Sequence, residues 1–341
     1  MKKFLAALIC TTAFATMAEA GDVGFKTMRI AAAHRPGGIE AMIWYPAGPG
    51  GVEDKIGDNP LFVGVPAMRD AAIPDGRFPL VIVSHGSGGN AANLAWLADG
   101  LARAGFVVAI PNHPGTTSGD SHPDQTVQIW NRPADLSATL TAVLDGPDWK
   151  GRIDKSHVSL AGFSLGGYAV LAAAGARVNA DDFARYCDGN TEKISDCAWY
   201  ARGGVDLHAL DAQRFNQSNQ DRRFSAVVAI DPALAQAYAD ESLGAMRLPV
   251  MVINLGAPGH IPQGVDAAEV AAKIPGADYR TIADAYHPSF LALCKPDWKA
   301  VLAAEGETEP LCDDAGGRSR TAIHDEINGM ITGFLKETLT N

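Results

Sequence analysis

The stretch from His157 to Ala174, HVSLAGFSLGGYAVLAAA, constrains this chain more than any other. A short apolar run ends in Gly162-Phe163-Ser164-Leu165-Gly166 and gives way to a run rich in alanine. A G-x-S-x-G sequence between a strand and a helix folds as a sharp turn that pushes its serine out at the edge of the sheet. Glycine is required on both sides, because a side chain there would strike the neighbouring strand or helix. With 36 glycines in 341 residues the pentapeptide alone decides little. Its surroundings decide: residues 158–161 read as a strand and 168–176 as a helix, so Ser164 is read as a nucleophile.

The rest of the chain repeats that rhythm. Two early segments, 24–29 and 40–45, read as antiparallel strands, and a Gly/Pro/Asp-rich loop is expected to run to about Gly76. From Phe78 the pattern becomes strand, helix, strand, helix. Pro79-Leu80-Val81-Ile82-Val83-Ser84 is continuously apolar, as a strand buried on both faces must be. Further strands are expected at 106–110, 157–161, 224–230, 248–254 and 278–282, with helices at 93–104, 134–144 and 165–176. Ile323, Ile327, Met330, Ile331, Phe334 and Leu335 form the apolar stripe of a last helix. This alternation predicts an α/β fold with a mainly parallel central sheet and helices on both faces. Residues 179–223 break it: polar, spotted with aromatics and too long for an ordinary connection, they are expected to form a small cap insertion.

Residues 1–20 read as a signal peptide, with Lys2 and Lys3 at the start, an apolar stretch, and Ala18-Glu19-Ala20 as the cleavage site. Cleavage after Ala20 leaves 21–341 as one domain in the periplasm or outside the cell. No membrane span is expected, because the apolar run is short and nothing comparable follows. Losing Lys2, Lys3 and Glu19 leaves 26 basic against 38 acidic residues, which moves the net charge from −11 to −12. Such a surface argues against nucleic acid and anionic lipid surfaces as partners and leaves a small-molecule or lipid-like substrate. The oligomeric state is not readable from this pattern. Export also makes disulfides plausible, and Cys187–Cys197 and Cys294–Cys312 are the natural pairs.

A serine hydroxyl needs a base, and the base needs an orienting carboxylate. In a parallel α/β sheet these gather at the carboxyl ends of the strands, in the order serine, acid, histidine. His287, just past the last apolar strand, is the expected base, with His260 as its rival. Asp231 closes the strand ending in Ile230 and is the expected acid, with Asp266 and Asp284 in reserve. The next strand ends in Asn254-Leu255-Gly256, which offers no acid. For the oxyanion hole the expected donors are the backbone amides of Leu165 and of Ser87, the latter in His85-Gly86-Ser87-Gly88-Gly89. His85, Gly86, His113 and Tyr286 are expected to line the substrate pocket. A metal site built from His113, Asp120, His122 and Asp124 is the weaker alternative to a loop held by its own Asp and Ser side chains. No metal and no cofactor is expected.

Taken together, Ser84-His85-Gly86-x-Gly88, Gly162-x-Ser164-x-Gly166, Ala229-Ile230-Asp231 and Tyr286-His287 resemble the plasma-type platelet-activating-factor acetylhydrolases. They also resemble the bacterial dienelactone-hydrolase-like serine hydrolases. The resemblance spans roughly residues 78–293, and its most specific element is the acid directly after the strand ending in Ile230. It implies an α/β-hydrolase fold, with Ser164 as nucleophile, Asp231 as acid, His287 as base, and the amides of Ser87 and Leu165 as oxyanion donors. True dienelactone hydrolases carry a cysteine where this chain has Ser164. The expected activity is therefore that of a secreted serine esterase acting on carboxylic esters, with short acyl groups favoured. The alternatives are an amidase, peptidase or acyltransferase on the same scaffold, or a binding protein without turnover.

Overall fold

The structure is a computed structural model that describes residues 22–189, 195–306, 310–314 and 317–340. The expected leader, 1–20, and its cleavage point lie outside the described residues.

In chain order the strands are β1 (Val23–Ala32), β2 (Arg35–Pro46), β3 (Val52–Ile56), β4 (Val65–Arg69), β5 (Phe78–Ser84) and β6 (Val107–Pro111). A small separate hairpin follows, β7 (Thr116–Thr117) with β8 (Asp120–Ser121), and then β9 (Ile153–Phe163), β10 (Ala226–Ile230), β11 (Val250–Leu255) and β12 (Asp278–Ile282). Among the described residues ten of these form one sheet, in the order β12-β11-β10-β9-β5-β6-β2-β1-β4-β3. From β12 to β6 every neighbouring pair is parallel, and β2 then joins β6 antiparallel.

Strand β5 explains why the sheet reads as unbroken apolar runs. Leu80 and Ile82 join the core on one face with Leu136 and Leu140 of the helix Asn131–Asp145 and with Ala169 and Leu171 of the helix Leu165–Ala174. Val81 and Val83 face the other way, into Leu97 and Leu101 of the helix Ala95–Arg103 and Ile327 and Ile331 of the helix Arg320–Thr338. Side chains alternate between the faces of a strand, so helices on both faces favour apolar residues at every position, and β5 turns polar only at Ser84, its carboxyl end. Ile323, Ile327, Ile331 and Leu335 repeat every four residues along the last helix, and all are fully buried.

The segment expected as loop up to Gly76 instead contains β3 and β4. They extend the far edge of the sheet, with Val52 opposite Arg69 and Ile56 opposite Val65. An edge strand half open to water carries no apolar run, and Glu53, Asp54 and Lys55 put charge where a bare edge would invite pairing.

The described residues of 179–223 include the helices Ala180–Cys187 and Ser195–Arg202, a 3₁₀ turn at Leu207–Ala209 and a short helix, Ala212–Phe215. Disulfides join Cys187 to Cys197 and Cys294 to Cys312. Phe183, Tyr200 and Phe215 belong to the same core as Leu165 and Tyr168, so this segment packs on the helix that follows Ser164.

Candidate active site

The turn from β9 into the helix Leu165–Ala174 places Ser164 at φ +56°, ψ −121°, a conformation that L-residues rarely adopt. It is held there from both sides. The Ser164 N–H donates to Ile230 O at 2.9 Å, while its carbonyl accepts from Tyr168 N and Ala233 N. A Cβ on Gly162 would lie 2.2 Å from Gly166 O, and one on Gly166 would lie 2.1 Å from Ser84 O. Both glycines are thus fixed by space, and the serine between them stays partly open to solvent.

Asp231 leaves β10 with φ +43°, its N–H bonded to Ile253 O at 2.8 Å. Its carboxylate is fully buried. Oδ1 accepts from Asn254 Nδ2 at 2.7 Å and from the Leu255 amide at 2.8 Å, and Oδ2 pairs with His287 Nδ1 at 2.8 Å. Because a carboxylate only accepts, Nδ1 carries the imidazole proton and Nε2 is the nitrogen left for chemistry. The ring also rests on Phe163, centroid to centroid 4.5 Å, and Phe163 stacks on Phe290 at 4.3 Å. Phe163 directly precedes Ser164, so the residue that supports the imidazole is chained to the hydroxyl. Among the described residues no hydrogen bond joins Ser164 Oγ to His287; catalytic contacts of this kind commonly close only when substrate is bound. The rivals are engaged elsewhere. His260 is exposed in its own loop, Asp266 accepts from the Ala268 amide, and Asp284 pairs with Arg318.

The glycine loop after β5 lies directly over the serine: a Cβ on Gly86 would come within 3.2 Å of Ser164 Cβ. Among the described residues the amides of Ser87 and Leu165 donate to no protein acceptor. The two histidines expected in the pocket lie beneath this loop. His85 is 1% exposed; its Nδ1 donates to Gly86 O at 2.7 Å and its Nε2 accepts from the His113 amide at 3.2 Å. His113 is fully buried, with Nδ1 donating to Asp135 at 2.9 Å and Nε2 accepting from Ser84 Oγ at 2.8 Å. These partners fix both rings as neutral tautomers. Accordingly burial lowers the pKa of His113 to about 4 and drives that of His85 well below its ordinary value. Tyr286 turns its hydroxyl to Pro310 O. Asp120 and His122 form a surface pair away from buried His113, and among the described residues no three His, Cys, Asp or Glu side chains cluster to hold a metal.

Four polar residues matter here that the sequence reading passed over. Arg132 is 1% exposed and donates to His85 O, Gly86 O and Thr116 Oγ1. Burial lowers its pKa to about 9. One turn on, Asp135 accepts from Arg35, His113 and His34; burial opposes its charge, yet those bonds hold its carboxyl well below the usual range. Both sit on the buried stripe shared with Leu136, Leu140 and Val143, and charge on an apolar stripe was the available signal. Asn254 is the third. The fourth is Asp196 of the helix Ser195–Arg202, whose carboxyl burial pushes up. The space beside Gly264 is closed by Asp196 Oδ2 and Tyr186 Oη, and Gly203 abuts Pro123.

No family model and no curated protein matches the sequence. By structure, the chain is similar to a ferulic acid esterase from Streptomyces cinnamoneus, with a TM-score of 0.64 at 18% identity over 95% of this chain and 92% of that one. It also aligns with a dienelactone hydrolase from Anabaena variabilis, with a TM-score of 0.46 at 13% identity over 84% of this chain and 95% of that one. The sheet order and the first likeness define the architecture: this chain has the α/β-hydrolase fold.

Proposed function

We propose that this chain is an exported serine hydrolase that cleaves small carboxylic esters through an acyl-enzyme. The observation that carries the reading is the pairing of His287 with buried Asp231 beside a serine held at φ +56°. In this cycle Ser164 Oγ attacks the ester carbonyl and gives its proton to His287 Nε2. Asp231 keeps the imidazole in the Nδ1–H tautomer and stabilises its positive charge. The amides of Ser87 and Leu165 receive the charge that develops on the carbonyl oxygen. His287 then protonates the departing alkoxide. Water, deprotonated by the same nitrogen, releases the acid and restores the serine. The chemistry needs no metal or organic cofactor. Two disulfides fit an oxidising compartment, and no helix among the described residues is long and apolar enough to cross a membrane.

The fold neighbour's name points to aromatic acid esters, so feruloyl esters belong in the substrate panel beside nitrophenyl esters of increasing acyl length and matched amides. Short acyl groups are expected to turn over fastest, and amides slowly. Ser164→Ala is expected to lower kcat by at least about 10³-fold and to abolish labelling by a fluorophosphonate. Equal turnover in parent and mutant rejects the mechanism. An unlabelled, inactive parent favours a binding protein on this scaffold, and a preference for amides moves the reading to an amidase.

A further inference from the structure

One buried cation has no place in the cycle above, and its position relative to the oxyanion loop is specific. Arg132 is the second residue of the helix Asn131–Asp145, and its guanidinium is bonded to the glycine loop. Its Nη1 donates to His85 O at 2.6 Å, and its Nη2 donates to Gly86 O at 3.2 Å and to Thr116 Oγ1 at 2.9 Å. The Thr116 carbonyl in turn accepts from the Gly88 amide at 3.0 Å. The guanidinium therefore grips the loop at two successive carbonyls, and through Thr116 it meets the segment that ties down the third residue on.

Gly86 O is not an arbitrary acceptor. The Gly86 carbonyl and the Ser87 N–H belong to one planar peptide unit, whose resonance couples the oxygen to the nitrogen. A donor on that oxygen draws electron density from the nitrogen and makes the N–H a better donor, as successive bonds along a hydrogen-bonded chain polarise one another. Three donors converge there: His85 Nδ1 at 2.7 Å, and Arg132 Nη2 and the Gly89 amide at 3.2 Å each, of which only the guanidinium carries a full charge. They also fix the plane of the peptide, and so the direction in which the Ser87 N–H points. From these contacts we infer that Arg132, with His85, is a positioning residue for the oxyanion hole: it orients and polarises the Gly86–Ser87 peptide so that the Ser87 amide meets the tetrahedral intermediate pre-aimed and strengthened.

A full positive charge without water is expensive unless it is well used. Here Asp135, three residues along the same helix and held in turn by Arg35, supplies the opposing charge. The same chain of contacts explains why His85 and His113 must stay neutral. Each accepts a hydrogen bond through Nε2 that a protonated ring could not accept, and a second positive charge would face Arg132.

This inference rests on the proposed serine mechanism, and its test keeps the two apart. Steady-state kinetics on a nitrophenyl ester would be measured for the parent, Ser164→Ala, Arg132→Lys and Arg132→Met, beside the inhibition constant of an alkyl boronic acid. The boronate adds to the serine and mimics the tetrahedral state. Removing an oxyanion donor outright costs about 10² to 10³ in kcat, so weakening one is expected to cost about tenfold in Arg132→Lys and up to about 100-fold in Arg132→Met. KM should stay within about threefold, and the boronate should weaken by the same factor as kcat/KM. A purely structural role would lower stability without that proportionality. If Arg132→Met does not fold, Arg132→Lys decides alone. Variants that retain kcat and boronate affinity, or lose only KM, overturn the inference while leaving the serine mechanism intact. Failure of the mechanism itself appears separately, as turnover that survives in Ser164→Ala.

Discussion

Asn254 shows how much of the site hangs on a residue with no reactive group. Its Nδ2 donates to Asp231 and to Val265 O, both at 2.7 Å, and its Oδ1 accepts from the Ala267 amide at 2.9 Å and from Tyr279 at 3.1 Å. It therefore satisfies one side of the acid and pins the loop on which Asp196 and Tyr186 close. Asn254→Ala would leave a buried carbonyl and a buried amide without partners, at about 2–3 kcal/mol of stability. It would also free one oxygen of Asp231 to turn. The expected result is a loss of about tenfold in kcat at constant KM, one order corresponding to about 1.4 kcal/mol of lost orientation. Chemical denaturation and steady-state kinetics on the one variant check both effects, and unchanged kcat would mean that Leu255 N alone holds the carboxylate. Ser164 and its flanking glycines were legible because hard contacts of 2.1–2.2 Å leave no alternative residue type. Asn254 was not, and Arg132 was marked only as a charge on an apolar helix stripe: the value of a buried amide or guanidinium lies in partners far along the chain, which a local pattern does not name.

At the level of elements, legibility follows burial. Strands sealed between helices, such as β5 up to Ser84 at its carboxyl end and the whole of β10, are apolar and stand out in the sequence. The edge pair β3 and β4 does not, because half of each strand faces water and its stability comes from pairing with β1 rather than from its own composition. Segment 179–223 lies between these cases. That it breaks the strand–helix rhythm was readable from its length and polarity, but the helices it forms were not. It sets Asp196 and Tyr186 against Gly264 and lays Arg214 over Trp130 at 5.5 Å. The Cys187–Cys197 bond closes a loop of ten residues between its two main helices, a link worth about 2–3 kcal/mol by chain entropy. Replacing both cysteines by serine is therefore expected to loosen the cap more than the sheet. Limited proteolysis should cut first within 179–223, KM for bulky esters should rise severalfold, and kcat for the smallest ester should change little. Cleavage starting in the main domain would contradict this division.

At the scale of the whole molecule, two opposing effects of acid meet. The chain carries a net charge of −11, so protonating surface carboxylates relieves repulsion and favours the compact state. Against this stand histidines buried as neutral rings. His113 and His324 are held neutral by burial, each with its pKa lowered to about 4, whereas in the unfolded chain both titrate near 6.5. Between those values the unfolded state binds protons that the folded state refuses, so stability is full above pH 6.5 and falls as pH drops toward 4. The gap corresponds to an upper bound of roughly 3 kcal/mol for each ring. Below that window Asp135 acts in the same direction, since a carboxyl held well below its usual range loses its stabilising bonds once protonated. Diffuse surface repulsion is screened within about 10 Å at ordinary salt and changes slowly with pH, so the buried rings should dominate. Urea unfolding at 0.1 M salt is expected to show stability declining by several kcal/mol from pH 7 to pH 4, with a shallower decline in His324→Asn. Stability that instead rises on acidification would mean that surface repulsion outweighs the buried rings.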